Sequence, residues 1–124
     1  MSLEIVAYTQ EAVAAVREFN QRLLAGGADQ QFPETPDPGW MPGMELFLVL
    51  EGSMVRGGYI LRRQTFSVAE ATWTAAHYRL PLSEGVINRS YAVLGLRMVR
   101  DALSREPRLY ALGMGGWEIG RAHV

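Results

Sequence analysis

The chain of 124 residues contains no cysteine, which excludes a disulfide framework, a thiol nucleophile and a thiolate-ligated metal site. It contains no lysine either. All 12 basic residues are arginine, set against 13 Asp plus Glu, for a formal net charge of −1. A balance so close to neutral leaves no basic face to neutralise a run of phosphates, so nucleic acid is not expected as a partner. The uniform use of arginine reads as a GC-rich coding bias. No stretch approaches the roughly 18 consecutive apolar residues of a membrane span. The opening "MSLEIVAYTQEAV" has no charged segment followed by an apolar run, so no signal peptide is expected, and the expected compartment is the cytoplasm. Histidine is nearly absent, with His77 and His123 alone. Without clustered carboxylates, a single imidazole in the body of the chain does not make a metal site.

What is present alternates between two periods. "LEIVAYT" reads as a first strand, and "TQEAVAAVREFNQRLLAGG" places Val13, Val16, Phe19 and Leu23 on one helical stripe. Thr9 is expected to cap that helix and Gly26-Gly27 to end it. In "ADQQFPETPDPGWMPG" four prolines forbid a regular element. Phe32 and Trp40 could pin this loop to the body, or it could serve as a lid. "MELFLVLEG" is apolar enough for a strand covered on both faces. A turn at Glu51-Gly52-Ser53 leads into "MVRGGYILRRQTFSV", where Gly57-Gly58 marks a bulge or a close approach to the backbone. "ATWTAAHYRLPL" follows as a further strand, its pairing limited at Pro81. The helical period then returns, with Tyr91, Leu94, Met98 and Ala102 on one face, Leu96, Val99 and Leu103 beside it, and Arg97, Arg100, Asp101 and Ser104 outside. Pro107 stops this helix and "RLYALGMGG" resumes as a strand. Trp73, Met54 and Met98 are assigned to core packing. The order strand, helix, hairpin, strand, helix, strand implies an α+β fold, a mixed sheet flanked by helices.

The last seven residues, "EIGRAHV", stand apart. Back-translated as GAG ATC GGA AGA GCA CAC GTC, they resemble the start of a short-read sequencing adapter whose next triplet is a stop. Residues 118–124 are therefore expected to be a non-native tail, and residues 1–117 a domain incomplete at its C-terminus.

The unit richest in chemistry is strand "HYRLPL", loop "SEGVINRS", helix "YAVLGLRMVRDAL" and strand "LYALGMGG". A helix opening beside a strand end offers unpaired amides and the positive end of its dipole to a phosphate. This unit resembles that of the GNAT-type N-acetyltransferases. Their Arg/Gln-x-x-Gly-x-Gly/Ala pattern falls here on Ser90-Tyr91-Ala92-Val93-Leu94-Gly95, with Met98 and Val99 at two leucine positions of the helix. Gly95 is retained, Val93 replaces the first glycine, and Ser90 replaces the leading Arg/Gln, with Arg89 adjacent. The "LVLEGSMVRGGYIL" hairpin is similar to the family's second and third strands.

The resemblance implies a GNAT-like domain whose co-substrate is acetyl-CoA or another acyl-CoA and whose acceptor is a small-molecule or peptide amine. It implies that the amides of Ala92, Val93, Leu94, Gly95, Leu96 and Arg97 face the pyrophosphate, and that strand backbone near Leu82 holds the pantetheine. Glu84, just after that strand, is the candidate base, and a solvated loop carboxylate is the plainer reading of it. His77 reads as a half-buried sheet residue before it reads as a base. Asp29, Glu34 and Asp37 could meet a cationic acceptor or be solvated. The glycines of 113–116 could pass an acyl arm or form a turn. The departures at Ser90 and Val93 support an alternative, a non-catalytic GNAT-like interaction module that has lost CoA binding.

Overall fold

In the computed structural model, residues 2–39 and 42–111 are described. Trp40, the glycines of 113–116 and the tail at 118–124 lie outside them. One five-stranded sheet runs in chain order, β1 (Glu4–Ala7), β2 (Met44–Glu51), β3 (Met54–Val68), β4 (Ala71–Ser83) and β5 (Leu109–Tyr110). The first three pairings are antiparallel, whereas β4 and β5 are parallel. Helix α1 (Val13–Ala25) joins β1 to β2, and α2 (Leu94–Arg105) forms the crossover from β4 to β5. This is the mixed α+β sheet that the alternation of periods implies.

The sheet is buried on both faces because its central strands are apolar at odd and even positions alike. In β2, Leu46 and Leu48 join Ile60 and Leu82 beneath α1, while Phe47 and Val49 join Tyr59, Leu61 and Tyr78 beneath α2. The α1 stripe lands where its spacing puts it, since Val13, Val16, Phe19 and Leu23 are all buried. Removing the apolar area of each such side chain from water contributes about 1.5–3 kcal/mol.

Helix ends follow backbone geometry more than side-chain caps. Thr9 makes no side-chain cap; it precedes a 3-10 turn at Gln10–Ala12, and α1 begins only at Val13. Its other end closes as expected: Gly27 takes φ +96, its amide donates to Leu24 O, and that of Ala28 donates to Leu23 O. α2 also starts later than its apolar stripe, because Tyr91 sits in a 3-10 turn (Arg89–Tyr91) ahead of it. Leu94, Met98 and Ala102 are buried, but Leu96 is exposed. Two residues along a helix turn the side chain through roughly 200°, so Leu96 points away from Leu94. Asp101, expected outside, is instead half-buried and accepts from the Tyr59 phenol and from Arg105 Nε. Met54 and Trp73 are exposed rather than in the core, whereas Met98 is buried.

The proline-rich loop is pinned by Phe32, which is buried and stacks on Tyr8 with centroids 6.1 Å apart. Buried Asn20 clasps the same residue: its Nδ2 donates to Phe32 O at 2.9 Å, and Phe32 N donates to its Oδ1 at 2.8 Å. Both glycines of the pair in β3 are required by close approach. A Cβ on Gly58 would lie 2.9 Å from the Phe32 ring, and one on Gly57 would lie 3.0 Å from Leu82 O. What presses on them is the protein itself.

Candidate active site

Two irregularities shape the end of β4 that faces α2. The β2–β3 register passes from Val49↔Gly57 to Leu50↔Val55, leaving Arg56 as an extra residue. The β3–β4 register passes from Gly58↔Leu82 to Ile60↔Arg79, so that Leu80 and Pro81 together face Tyr59. Leu80 takes φ +46 there, and Pro81 has no amide to offer the ladder. On its other edge β4 pairs with β5 only at Ala76↔Leu109 and His77↔Tyr110 among the described residues. The edge of β4 from Tyr78 to Ser83 runs on toward the loop that enters α2.

The connection from β4 to α2 consists of two 3-10 turns, Glu84–Val86 and Arg89–Tyr91, each opened by a side-chain cap. Ser83 Oγ accepts from the Gly85 amide at 2.8 Å, and Asn88 Oδ1 accepts from the Ser90 amide at 3.0 Å. At α2 itself Val93 occupies the cap position and supplies no side-chain acceptor. The amides of Leu94, Gly95 and Leu96 thus have no partner within the helix. Ala92, Val93, Gly95, Leu96 and Arg97 are exposed, and a Cβ on Gly95 would touch nothing within 4 Å. Leu94 is the exception, with its side chain fully buried. An exposed, uncapped helix start of this kind can receive an anion. Leu82 is buried in the core beneath α1, next to the bulge.

Glu84 is not the solvated carboxylate that a loop position suggests, since it is 3% exposed. Arg22 Nε of α1 donates to its Oε1 at 2.7 Å, and Arg56 Nη1 reaches both oxygens at 3.1 and 2.9 Å. Arg22 also donates to Val55 O. Arg56 continues the network to Glu51 at 3.0 Å and lies 4.8 Å over the Tyr91 ring. The Tyr91 phenol in turn donates to Glu51 Oε1 at 2.7 Å. That hydrogen bond, with further help from Arg56, holds the Glu51 carboxyl below the usual carboxylate range. Sequence reasoning missed this network, because its members come from α1, both strands of a hairpin and two turns. The bulge at Gly57-Gly58 was the one signal of it, since the extra residue there is Arg56.

The remaining candidates scatter. Glu34 pairs with Arg17 and accepts from Asn20 Nδ2 at 3.1 Å, so it faces α1. Asp37 Oδ1 accepts from the amide of Gly39 within its own loop. His77 is half-buried in β4 and stacks on Tyr110 with centroids 5.0 Å apart and an interplanar angle of 6°. Burial first, then the charges of Arg79 and Arg62, hold its imidazole below its ordinary value. Among the described residues no three His, Asp or Glu side chains come together as a metal site. No described helix is long and apolar enough to cross a membrane.

A central antiparallel hairpin, a bulged fourth strand and a helix crossing from it to a parallel fifth strand make up this architecture, and known structures match it. No protein-family model matches the sequence, and no curated protein does. A GNAT family acetyltransferase of Staphylococcus aureus superposes with a TM-score of 0.65 at 11% identity, covering 94% of this chain and 89% of that one. An acetyltransferase of Trypanosoma brucei gives 0.61 at 12% identity, over 91% and 84% of the two chains. A predicted acetyltransferase of Clostridium acetobutylicum, solved with acetyl-CoA, gives 0.58 at 7% identity, over 90% and 81%. The chain has the GNAT acetyltransferase fold.

Proposed function

We propose that the protein is an acyl-CoA-dependent N-acyltransferase that transfers an acetyl group to an amine. The observation that carries this reading is the bulged end of β4, which leads through two 3-10 turns to the uncapped, exposed start of α2. The residues present fit an extended diphosphate thioester. Amides of Leu94, Gly95 and Leu96 would hold the pyrophosphate, helped by the positive end of the α2 dipole. The backbone of β4 near Leu82 would hold the pantetheine by hydrogen bonds. Acyl-CoA supplies the thioester carbonyl. The neutral amine nitrogen bonds to that carbon, the carbon–sulfur bond breaks with its electron pair on sulfur, and the proton lost by nitrogen ends on the departing thiolate.

Glu84 follows the cofactor strand as a base would, yet both its oxygens are held by guanidiniums. In this reading it acts as a positioning residue. It fixes the turn between β4 and α2 against α1 and the hairpin, and so sets where the α2 amides point. Proton removal is left to water or to a side chain on the acceptor's side of the sheet.

Calorimetric titration of the protein with acetyl-CoA tests this reading. Saturable binding is expected, and silence at millimolar ligand rejects it. One feature favours a second reading, a binding module without CoA. Val93 carries a side chain, 60% exposed, where the family pattern has its first glycine. That module would bind no acyl-CoA under any condition.

A further inference from the structure

Arg17, Arg22, Arg56, Arg63 and Arg105 each pair with a carboxylate. Arg97 and Arg100 of α2 are exposed and pair with no described carboxylate. Three residues apart on a helix, their side chains are neighbours, with about 5–6 Å between Cβ atoms, and their like charges repel. Arg97 also closes the first turn of α2, a turn with no acidic residue. The helix dipole is positive there, which disfavours a cation. An anion held between the two guanidiniums would relieve both effects.

The same two arginines line a cleft of about 340 Å3 between α2 and β1, together with Ile5 and Asp101. That volume falls within the roughly 300–1,000 Å3 of small-molecule sites. Ile5 gives the cleft an apolar wall. Asp101 is fixed in place, because its Oδ2 accepts from the Tyr59 phenol and from Arg105 Nε, while its Oδ1 has no described donor. Arg105 balances the charge of Asp101, so the positive charges of Arg97 and Arg100 remain unanswered.

We propose that this cleft binds a small phosphate monoester carrying hydroxyl groups, in chemical class a sugar phosphate. A phosphate monoester brings a charge of about −1.5 to −2 at neutral pH, which matches two guanidiniums, whereas a single carboxylate leaves one of them unanswered. Guanidinium edges fork onto phosphate oxygens in pairs. A hydroxyl donates to Asp101 Oδ1, and the C–H face of the sugar lies on Ile5. The site uses side chains along the flank of α2 and does not rest on the acyl-transfer reading.

Titrating the full chain, 15N-labelled at arginine, with glucose 6-phosphate, glucose and inorganic phosphate tests this by calorimetry and by the arginine Nε–H resonances. Glucose 6-phosphate is expected to bind saturably and to shift the Nε–H resonances of Arg97 and Arg100, assigned by their loss in Arg97→Met and Arg100→Met. It should bind about tenfold more tightly than inorganic phosphate, and glucose should give no heat. Arg100→Met should weaken glucose 6-phosphate about tenfold or more, because a charge-assisted fork is lost. Arg100→Lys, which keeps the charge but not the fork, should weaken it less. Arg17→Met, exposed on α1, should leave it unchanged. The side chain of Arg100 is exposed, so its removal costs the fold little. No saturable binding at millimolar glucose 6-phosphate, equal affinity for inorganic phosphate, or an equal loss in Arg17→Met each overturns the proposal. So does displacement by acetyl-CoA, which would make these arginines part of the acyl-CoA site.

Discussion

Arg56 grips both carboxylate oxygens of Glu84, at 3.1 and 2.9 Å, across 28 positions of sequence. The contact exists because the β2–β3 register slips by one residue and turns Arg56 toward the loop that enters α2. Glu84→Ala would leave Arg22 and Arg56 without their shared partner. Removing one member of a buried pair costs about 3–5 kcal/mol, so the urea midpoint should fall accordingly. A variant of unchanged stability would remove the positioning role and return Glu84 to consideration as a base.

Asn20→Ala should release the proline-rich loop. It strands the buried amide and carbonyl of Phe32, both of which Asn20 satisfies. Two such groups cost about 2–6 kcal/mol together. Limited proteolysis should then cut within residues 28–39 faster in the variant than in the parent protein.

Gly58→Ala should destabilise by about 1–3 kcal/mol through overpacking. The added Cβ would meet the Phe32 ring at 2.9 Å and Phe47 O at 3.0 Å, and the latter is backbone of the paired strand. Gly95→Ala is the control, because open space surrounds it. Thermal melts of the two variants should differ clearly.

Stability should fall as pH falls below about 6.5. The His77 imidazole is held below its ordinary value of 6.5 in the fold, by burial first and then by Arg79 and Arg62. Between that value and the lower folded one, the unfolded chain binds more protons, so acid favours unfolding there. His77→Gln should flatten this part of the profile, as read from urea midpoints taken across the window. Arg62→Met should move the folded imidazole upward in an NMR titration.

Val93→Gly should tighten acetyl-CoA binding without loss of stability. Val93 holds the cap position of α2 with φ −82 and no side-chain acceptor, and glycine is preferred over valine at such a cap. An affinity unchanged by the substitution would count against the α2 amides as the pyrophosphate site.

Much of the architecture was legible because burial periodicity is a local property. The stripe from Val13 to Leu23, the two-sided apolar run from Met44 and the 3.6-residue period around Met98 each announce an element and the face it buries. The Gly57-Gly58 pair announced an irregular ladder, and Pro107 the end of α2. Helix starts were less legible: Thr9 precedes a 3-10 turn and Tyr91 sits in one, and such turns share residue preferences with the first turn of a helix.

Composition and period by themselves determined that this chain folds as a mixed sheet between two helices, because hydrophobic burial requires apolar residues at fixed intervals along the chain. Only the tertiary structure decided that Glu84 is a buried anchor, that Arg56 is the residue expelled by a bulge, and that Arg97 and Arg100 meet Ile5 and Asp101 at one cleft. Charge pairing and site geometry depend on register between distant strands, and a slip of one residue sends a side chain to the opposite side of the sheet.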